Sequence, residues 1–119
     1  MTILQRLALL TALFLVAGLF IGGAQPVAVG LVPVPWDKVA HATVFAAIAF
    51  LLTFSRVRRH WGWLLASVLL TTAVGGADEI HQYLLPGRSC DWADFAADAL
   101  GASFGGALYV LLARVWRLE

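Results

Sequence analysis

Four long apolar segments make up most of the chain, and short polar or proline-containing stretches separate them. The segments predict membrane helices at about residues 4–22, 38–55, 61–78 and 93–114, because each approaches the roughly 20 residues that cross a bilayer. The helical pattern of the third segment continues toward Tyr83, until Pro86 and Gly87 force a turn. We therefore predict an all-α protein, an integral membrane four-helix bundle formed by a single domain over residues 1–119.

Two features of the segments bear on packing and processing. Glycines four residues apart, at Gly18 and Gly22 and again at Gly101 and Gly105, predict seams where another helix approaches closely. The first segment is also open to a second interpretation, since Arg6, the apolar run and the small residues after it resemble a cleavable signal peptide. The three prolines of residues 25–36 predict an extended connection to the second helix.

Composition agrees with a membrane protein. The chain has 119 residues, of which 61% are hydrophobic and 13% are charged, whereas a soluble domain carries about 25% charged residues. A surface so poor in polar groups must face lipid. The net charge of +1 gives no reason to expect a nucleic-acid partner. The single cysteine, Cys90, excludes an internal disulfide and a thiolate metal cluster.

Basic residues predict the orientation, because cytoplasmic loops carry an excess of Lys and Arg. Six basic residues fall on one face of the predicted bundle and two on the other. The six are Arg6, Arg56, Arg58, Arg59, Arg114 and Arg117, and the two are Lys38 and Arg88. This split places both termini in the cytoplasm. Six acidic residues then gather toward the outer face, namely Asp37, Asp78, Glu79, Asp91, Asp94 and Asp98.

Helical spacing groups the polar residues near that face. Asp37 and His41 are four residues apart on the second helix, where Asp37 is also a candidate helix cap. On the extension of the third helix, Gln82 lies three residues after Glu79 and four after Asp78. The fourth helix carries Asp91, Asp94 and Asp98 on one side, which continues into Gly101 and Gly105. Because a carboxylate in lipid is costly, these side chains are predicted to point at other helices.

Several chemical roles fit these residues, each beside a purely structural one. His41 suits a general base that Asp37 orients. In the structural alternative, Asp37 caps the helix and His41 forms a hydrogen bond inside the bundle. The pair Glu79 and Gln82 suits the binding of a cation or a substrate headgroup. In the structural alternative, the two side chains are simply solvated beyond the end of the third helix. Arg88 suits a phosphate clamp, or a partner for Asp91 or Asp94.

Asp94 and Asp98 suit metal binding, proton relay or interhelical hydrogen bonding, while Lys38 suits an anion contact or snorkelling to the interface. The paired-histidine zinc motif H-E-x-x-H is absent, so carboxylates and an amide favour a hard divalent cation over zinc. No G-x-S-x-G elbow and no phosphate-binding glycine loop is present. The identity of any metal stays open.

The ordered set of these motifs resembles the VanZ-like membrane protein family. The resemblance rests on Asp37-Lys38-x-x-His41, Glu79-x-x-Gln82, Pro86-Gly87-Arg88, Asp91 to Asp94, and Asp98-x-x-Gly101-x-x-x-Gly105. It covers about Trp36 to Gly105, and Asp98 stands where the family usually has Asn. The family is named for a protein associated with low-level resistance to the glycopeptide antibiotic teicoplanin. The resemblance therefore implies a multi-pass protein of the bacterial cytoplasmic membrane with a role in the cell envelope.

Three functional hypotheses follow. The first is an outward-facing polar pocket that engages an anionic lipid-linked or cell-wall species, bound by Asp37, Lys38, Gln82, Arg88, Asp91 and Asp98. The second is a small membrane hydrolase or transferase acting on a phosphate or isoprenoid-linked substrate, with His41, Glu79 and Asp94 as catalytic residues. The third is a non-catalytic structural or partner-binding bundle, whose polar groups pair entirely with each other and leave no cavity. The sequence also leaves room for a divalent cation and for an oligomer.

Overall fold

The computed structural model describes residues 1–28, 30–56, 61–87 and 91–116. They form four α-helices, α1 (Ile3–Gly23), α2 (Trp36–Phe54), α3 (Trp61–Tyr83) and α4 (Trp92–Val115), with a short 3-10 turn at Pro26–Ala28. No strand occurs in these ranges. Each helix is long and apolar enough to cross a membrane. The prediction of an all-α protein with four membrane-length helices is confirmed.

The helix ends show how local sequence starts each element. Thr2 and Gln5 form a reciprocal capping box at α1, with side-chain-to-backbone hydrogen bonds of 2.9 and 3.2 Å. Asp91 caps α4, since its Oδ1 accepts a hydrogen bond from the backbone N–H of Ala93 at 2.9 Å. The predicted cap at Asp37 is wrong. Asp37 lies inside the first turn of α2, and its N–H donates to the carbonyl oxygen of Pro33 at 3.2 Å.

The closest packing joins α2 to α4, which run parallel. A Cβ atom built on Gly101 would collide with the backbone carbonyl of Ala42, and one on Gly105 would collide with that of Ala46. Only hydrogen atoms fit between the two backbones at these positions. The seam predicted from the spacing of the two glycines is therefore confirmed, and it fixes the register of α2 against α4.

The same spacing in α1 has a different outcome. No described atom lies within 4 Å of a Cβ built on Gly18 or on Gly22, so the predicted close approach does not occur in the described ranges. Instead α1 is attached at its ends. Gln5 donates to the carbonyl oxygen of Arg56 at 2.9 Å, and the Phe20 ring lies 5.3 Å from that of His81. Open space beside α1 remains at Gly18.

Large apolar side chains cover the outside of the helices, as lipid contact requires. Exposed tryptophans mark the helix ends, at Trp36, Trp61, Trp92 and Trp116, where a membrane–water boundary favours them. The interior is small and partly polar, with Phe45 and Ile48 as its largest fully buried apolar side chains. The surface and the core thus have the inverted polarity expected of a membrane bundle.

Candidate functional site

Lys38, in the first turn of α2, is the centre of an ion-pair cluster. Its Nζ lies 2.8 Å from Asp37 Oδ2, 2.7 Å from Asp91 Oδ2 and 2.7 Å from Asp94 Oδ1. The parallel packing of α2 and α4 makes this possible, because it places the first turns of both helices side by side. The hydrogen bond from Lys38 lowers the pKa of the Asp91 carboxyl, which precedes α4. The ammonium group is thus surrounded by carboxylates.

His41 lies one turn further along α2 and faces α4. Its Nδ1 lies 2.8 Å from Asp98 Oδ1, and its Nε2 lies 4.0 Å from Asp94 Oδ2. The imidazole lies parallel to the Phe45 ring, with 6.3 Å between the ring centroids. Asp98 is fully buried, and its Cβ and carboxyl group lie against the Cα of Gly75 on α3, where a side chain would leave no space. The sequence prediction that Asp98 points inward agrees with this position.

The end of α3 adds two buried carboxyl groups. Glu79 Oε2 accepts a hydrogen bond from the backbone N–H of Asp91 at 3.0 Å, which ties α3 to the start of α4. Asp78 Oδ2 accepts a longer hydrogen bond, 3.3 Å, from the Gln82 amide. Both acidic side chains are at most 3% exposed. The extension of α3 beyond its purely apolar part therefore supplies polar groups to the interior of the bundle.

The polar side chains fill only part of each other's hydrogen-bonding capacity. Among the described residues, buried oxygens without a hydrogen-bond partner occur at Asp37 Oδ1, Asp78 Oδ1, Glu79 Oε1 and Asp98 Oδ2. An unpaired buried polar atom costs about 1–3 kcal/mol, and more when it is charged. If the polar groups served only to hold the helices together, these oxygens would be hydrogen-bonded to each other's side chains. Their unused hydrogen-bonding capacity favours the binding of a ligand.

A cavity of about 650 Å³ opens beside these residues, between α1, the α1–α2 connection and the bundle. We call its two sides the apolar wall and the polar side. The apolar wall comprises Phe14, Leu15, Gly18 and Leu19 of α1 with Leu31, Val32, Pro33 and Val34 of the connection. The polar side comprises Asp37, His41, Asp78, Gln82 and Asp94. The size lies within the ~300–1,000 Å³ range of small-molecule sites.

Eight of the nine predicted site residues come together at one end of the bundle. They are Asp37, Lys38, His41, Glu79, Gln82, Asp91, Asp94 and Asp98. The ninth, Arg88, lies outside the described residues. The roles assigned to all nine stay predictions. The position of Lys38 among three carboxylates agrees with an ion-pair role at least as well as with an anion contact.

Two parts of the site escaped the sequence analysis. Asp78 was grouped with Gln82 but given no functional role, although it is buried and lines the cavity. Its spacing from Gln82 was the available signal. The apolar wall was missed as well, because the sequence predicts only an extended, partly apolar connection over residues 25–36. Apolar residues between the prolines of this connection were the hint that it packs against something.

The fold and the site define a class, namely a small multi-pass membrane protein whose polar residues gather at one end of a four-helix bundle. The sequence profile of the VanZ/LLP1 family matches residues 3–113 of the 119-residue chain. The protein therefore belongs to the VanZ-like family, as the resemblance indicated. No curated protein and no solved structure matches the chain.

Proposed function

We propose that the protein binds an anionic, lipid-linked species, with part of the hydrocarbon chain against the apolar wall and the headgroup at the polar side. The supporting observation is the division of the cavity into these two sides. A cavity that is apolar along α1 and carries ionisable groups opposite suits an amphiphile better than a fully polar solute. The cavity also lies beside a membrane-length helix, which places it close to the lipids of the bilayer.

The residues near the polar side give arguments both for and against an anionic headgroup. Lys38 and His41 are the cationic or proton-donating groups near the polar side, and Arg88 is a third by sequence. Six carboxyl groups lie among them, and they repel an anion. An anionic headgroup must therefore bind through the cations and displace part of their present pairing. Headgroup charge is accordingly varied in the experiment.

Filling the cavity tests the proposal with a matched control. Gly18 lines the cavity and Gly22 does not, yet both have open space where a side chain would begin. We expect Gly18→Phe to weaken binding of polyprenyl phosphate by about tenfold or more, since the loss of a well-filled apolar contact costs at least ~1.4 kcal/mol. Gly22→Phe should leave binding unchanged. Native mass spectrometry of the detergent-purified chain counts the bound lipids.

Polyprenol without phosphate and phosphatidylcholine are the comparison probes. Preference for polyprenyl phosphate over both supports an anionic headgroup, whereas equal binding of polyprenol contradicts that part. If Gly18→Phe and Gly22→Phe weaken the binding of polyprenyl phosphate equally, the cavity is not the binding site. The same conclusion follows if neither variant weakens binding. Thermal unfolding of each variant establishes that the bundle is intact.

The setting that we propose follows family membership and the distribution of basic residues. The termini lie in the cytoplasm of a bacterium, the polar end faces outward, and the protein affects sensitivity to teicoplanin. In cells where expression of the wild type changes teicoplanin sensitivity, Gly18→Phe should abolish that change and Gly22→Phe should retain it.

The proposed orientation has its own test. Cys90, the single cysteine, follows the residues of α3 in the sequence and precedes those of α4, and it lies outside the described residues. A membrane-impermeant maleimide added to spheroplasts should label it, and labelling only after lysis contradicts the orientation.

A hydrolase or transferase is the second candidate, and the distances from His41 to the other two predicted catalytic residues favour it. His41 Nε2 lies 4.0 Å from Asp94 Oδ2, and one ligand atom each of His41 and Glu79 lie within 4.8 Å of each other. Divergent positions would have ruled out shared chemistry. We expect His41→Gln to lower phosphate release from polyprenyl diphosphate by about 10²–10⁴-fold, the usual contribution of a general base. No release by the wild type contradicts this candidate.

A further inference from the structure

Three helices bring nitrogen and oxygen donors together beneath the polar side of the cavity. The donors belong to His41 of α2, Glu79 of α3 and Asp98 of α4. One candidate ligand atom from each lies within 4.8 Å of the other two. Two ligands of one ion at ~2.1 Å lie roughly 3–4 Å apart, so closure around an ion needs a contraction of about 1 Å. Side-chain rotation supplies a movement of that size.

The two carboxyl groups of this triad hold unused hydrogen-bonding capacity. Glu79 is 3% exposed and Asp98 is 0% exposed. Glu79 Oε1 and Asp98 Oδ2 are buried and have no hydrogen-bond partner among the described residues. The other oxygen of each side chain is already engaged, by the Asp91 N–H and by the His41 imidazole respectively. Buried acceptor oxygens thus stay open on two adjacent helices, which a hydrogen-bonded helix contact does not explain.

Local charge also calls for a cation. Three carboxyl groups at most 3% exposed, those of Asp78, Glu79 and Asp98, surround one imidazole. Lys38 does not offset them, because its ion pairs are with Asp37, Asp91 and Asp94. Buried charges without a partner are strongly destabilising. A divalent ion in the triad brings two positive charges to the place where the excess of acid is greatest.

We propose that His41, Glu79 and Asp98 bind one divalent transition-metal cation of the Zn²⁺ or Mn²⁺ class. The donor set of one imidazole and two carboxylates selects this class, because Ca²⁺ and Mg²⁺ prefer oxygen ligands alone. His41 Nδ1 and Asp98 Oδ1 lie 2.8 Å apart, close to the separation of two ligands of one ion, so an ion bound by both atoms would take the place of the proton between them. This donor set differs from the carboxylates and amide that led the sequence analysis to favour a hard cation, because it includes the His41 imidazole.

The test uses the full-length chain, purified in detergent without added lipid, stripped with EDTA and dialysed against Zn²⁺ or Mn²⁺. Inductively coupled plasma mass spectrometry should find about one metal ion per chain in the wild type. Glu79→Gln and Asp98→Asn should each weaken retention by about tenfold or more, at least the loss that follows disruption of ligand support. Asp37→Asn is the matched control, because Asp37 is a neighbouring carboxyl group that pairs with Lys38. It should retain the ion.

Equal retention by wild type and all three variants, or none by the wild type, overturns the proposal. A spectroscopic measurement on the wild type alone keeps it testable if a variant does not fold. Pulsed electron paramagnetic resonance of bound Mn²⁺ should show coupling to one ¹⁴N nucleus of the imidazole, and absence of this coupling also overturns the site. Because no lipid is present, failure of this test is distinct from failure of lipid binding, which native mass spectrometry measures separately.

Discussion

Alanine at Gly105 should force α2 and α4 apart and lower the stability of the bundle by about 2 kcal/mol. The added Cβ meets the backbone carbonyl of Ala46, and no side-chain rotation relieves a collision with backbone. Overpacking costs up to ~3 kcal/mol, while the better helix propensity of alanine returns up to ~1 kcal/mol. Thermal unfolding in detergent should show a melting temperature lower by roughly 5–10 °C.

The control for this substitution is Gly22→Ala. Gly22 is also a helical glycine in a membrane-length helix, but it has no described atom within 4 Å of its built Cβ. We expect the same or a slightly higher melting temperature there. An equal decrease at both positions would show that glycine matters for the helix itself and not for the seam. No decrease at Gly105 would show that the two helices are not packed as described.

Methionine at Lys38 should have the second large effect, because it leaves the carboxylates of Asp37, Asp91 and Asp94 without their shared cation. The side chains are between 13% and 43% exposed, so the cost falls between that of exposed and buried pairs. Exposed pairs contribute ~0–1 kcal/mol and broken buried pairs cost ~3–5 kcal/mol. We expect a loss of about 2 kcal/mol, measured by chemical unfolding at neutral pH.

Lys38→Arg keeps the charge and should retain most of the stability. Adding Asp94→Asn to Lys38→Met should recover part of the loss, since it removes one unpaired carboxylate. The same cycle decides what Lys38 does. If Lys38→Met is as stable as the wild type but no longer binds polyprenyl phosphate, the side chain is an anion contact and not the centre of the ion-pair cluster.

Periodicity predicted the helices and the inward direction of Asp98, because both depend on the contrast between lipid and protein interior. In a membrane, an apolar run of sufficient length has few alternatives to a helix. A carboxyl group within such a run has only the bundle interior to face. These inferences need no knowledge of the neighbouring helix, and the positions of α4 and Asp98 agree with them.

Spacing alone did not predict contacts. Gly18 and Gly22 have the same spacing as Gly101 and Gly105, yet only the second pair packs against a backbone. The difference lies in the partner, since α2 offers Ala42 and Ala46 at the matching height and α1 has no such neighbour in the described ranges. A pattern of small residues permits close approach but does not supply the helix that approaches.

The cavity was beyond sequence reasoning for a related reason. Its apolar wall consists of one side of α1 and residues 30–34, and the path of that connection depends on tertiary contacts. The burial of both Asp78 and Glu79 was equally hard to foresee, because two neighbours on a helix point in different directions. Asp78 faces the cavity, while Glu79 reaches the start of α4. Neighbouring elements cover α3 on both sides there.

The central claim is that the cavity beside α1 holds a lipid with its headgroup at the polar side. An experimental structure of the protein with polyprenyl phosphate tests it most directly. We predict hydrocarbon density between α1 and residues 30–34, with the phosphate within hydrogen-bonding reach of His41 or Gln82. Lipid bound only to the outer faces of the helices, with the cavity closed or filled by side chains, would contradict the claim.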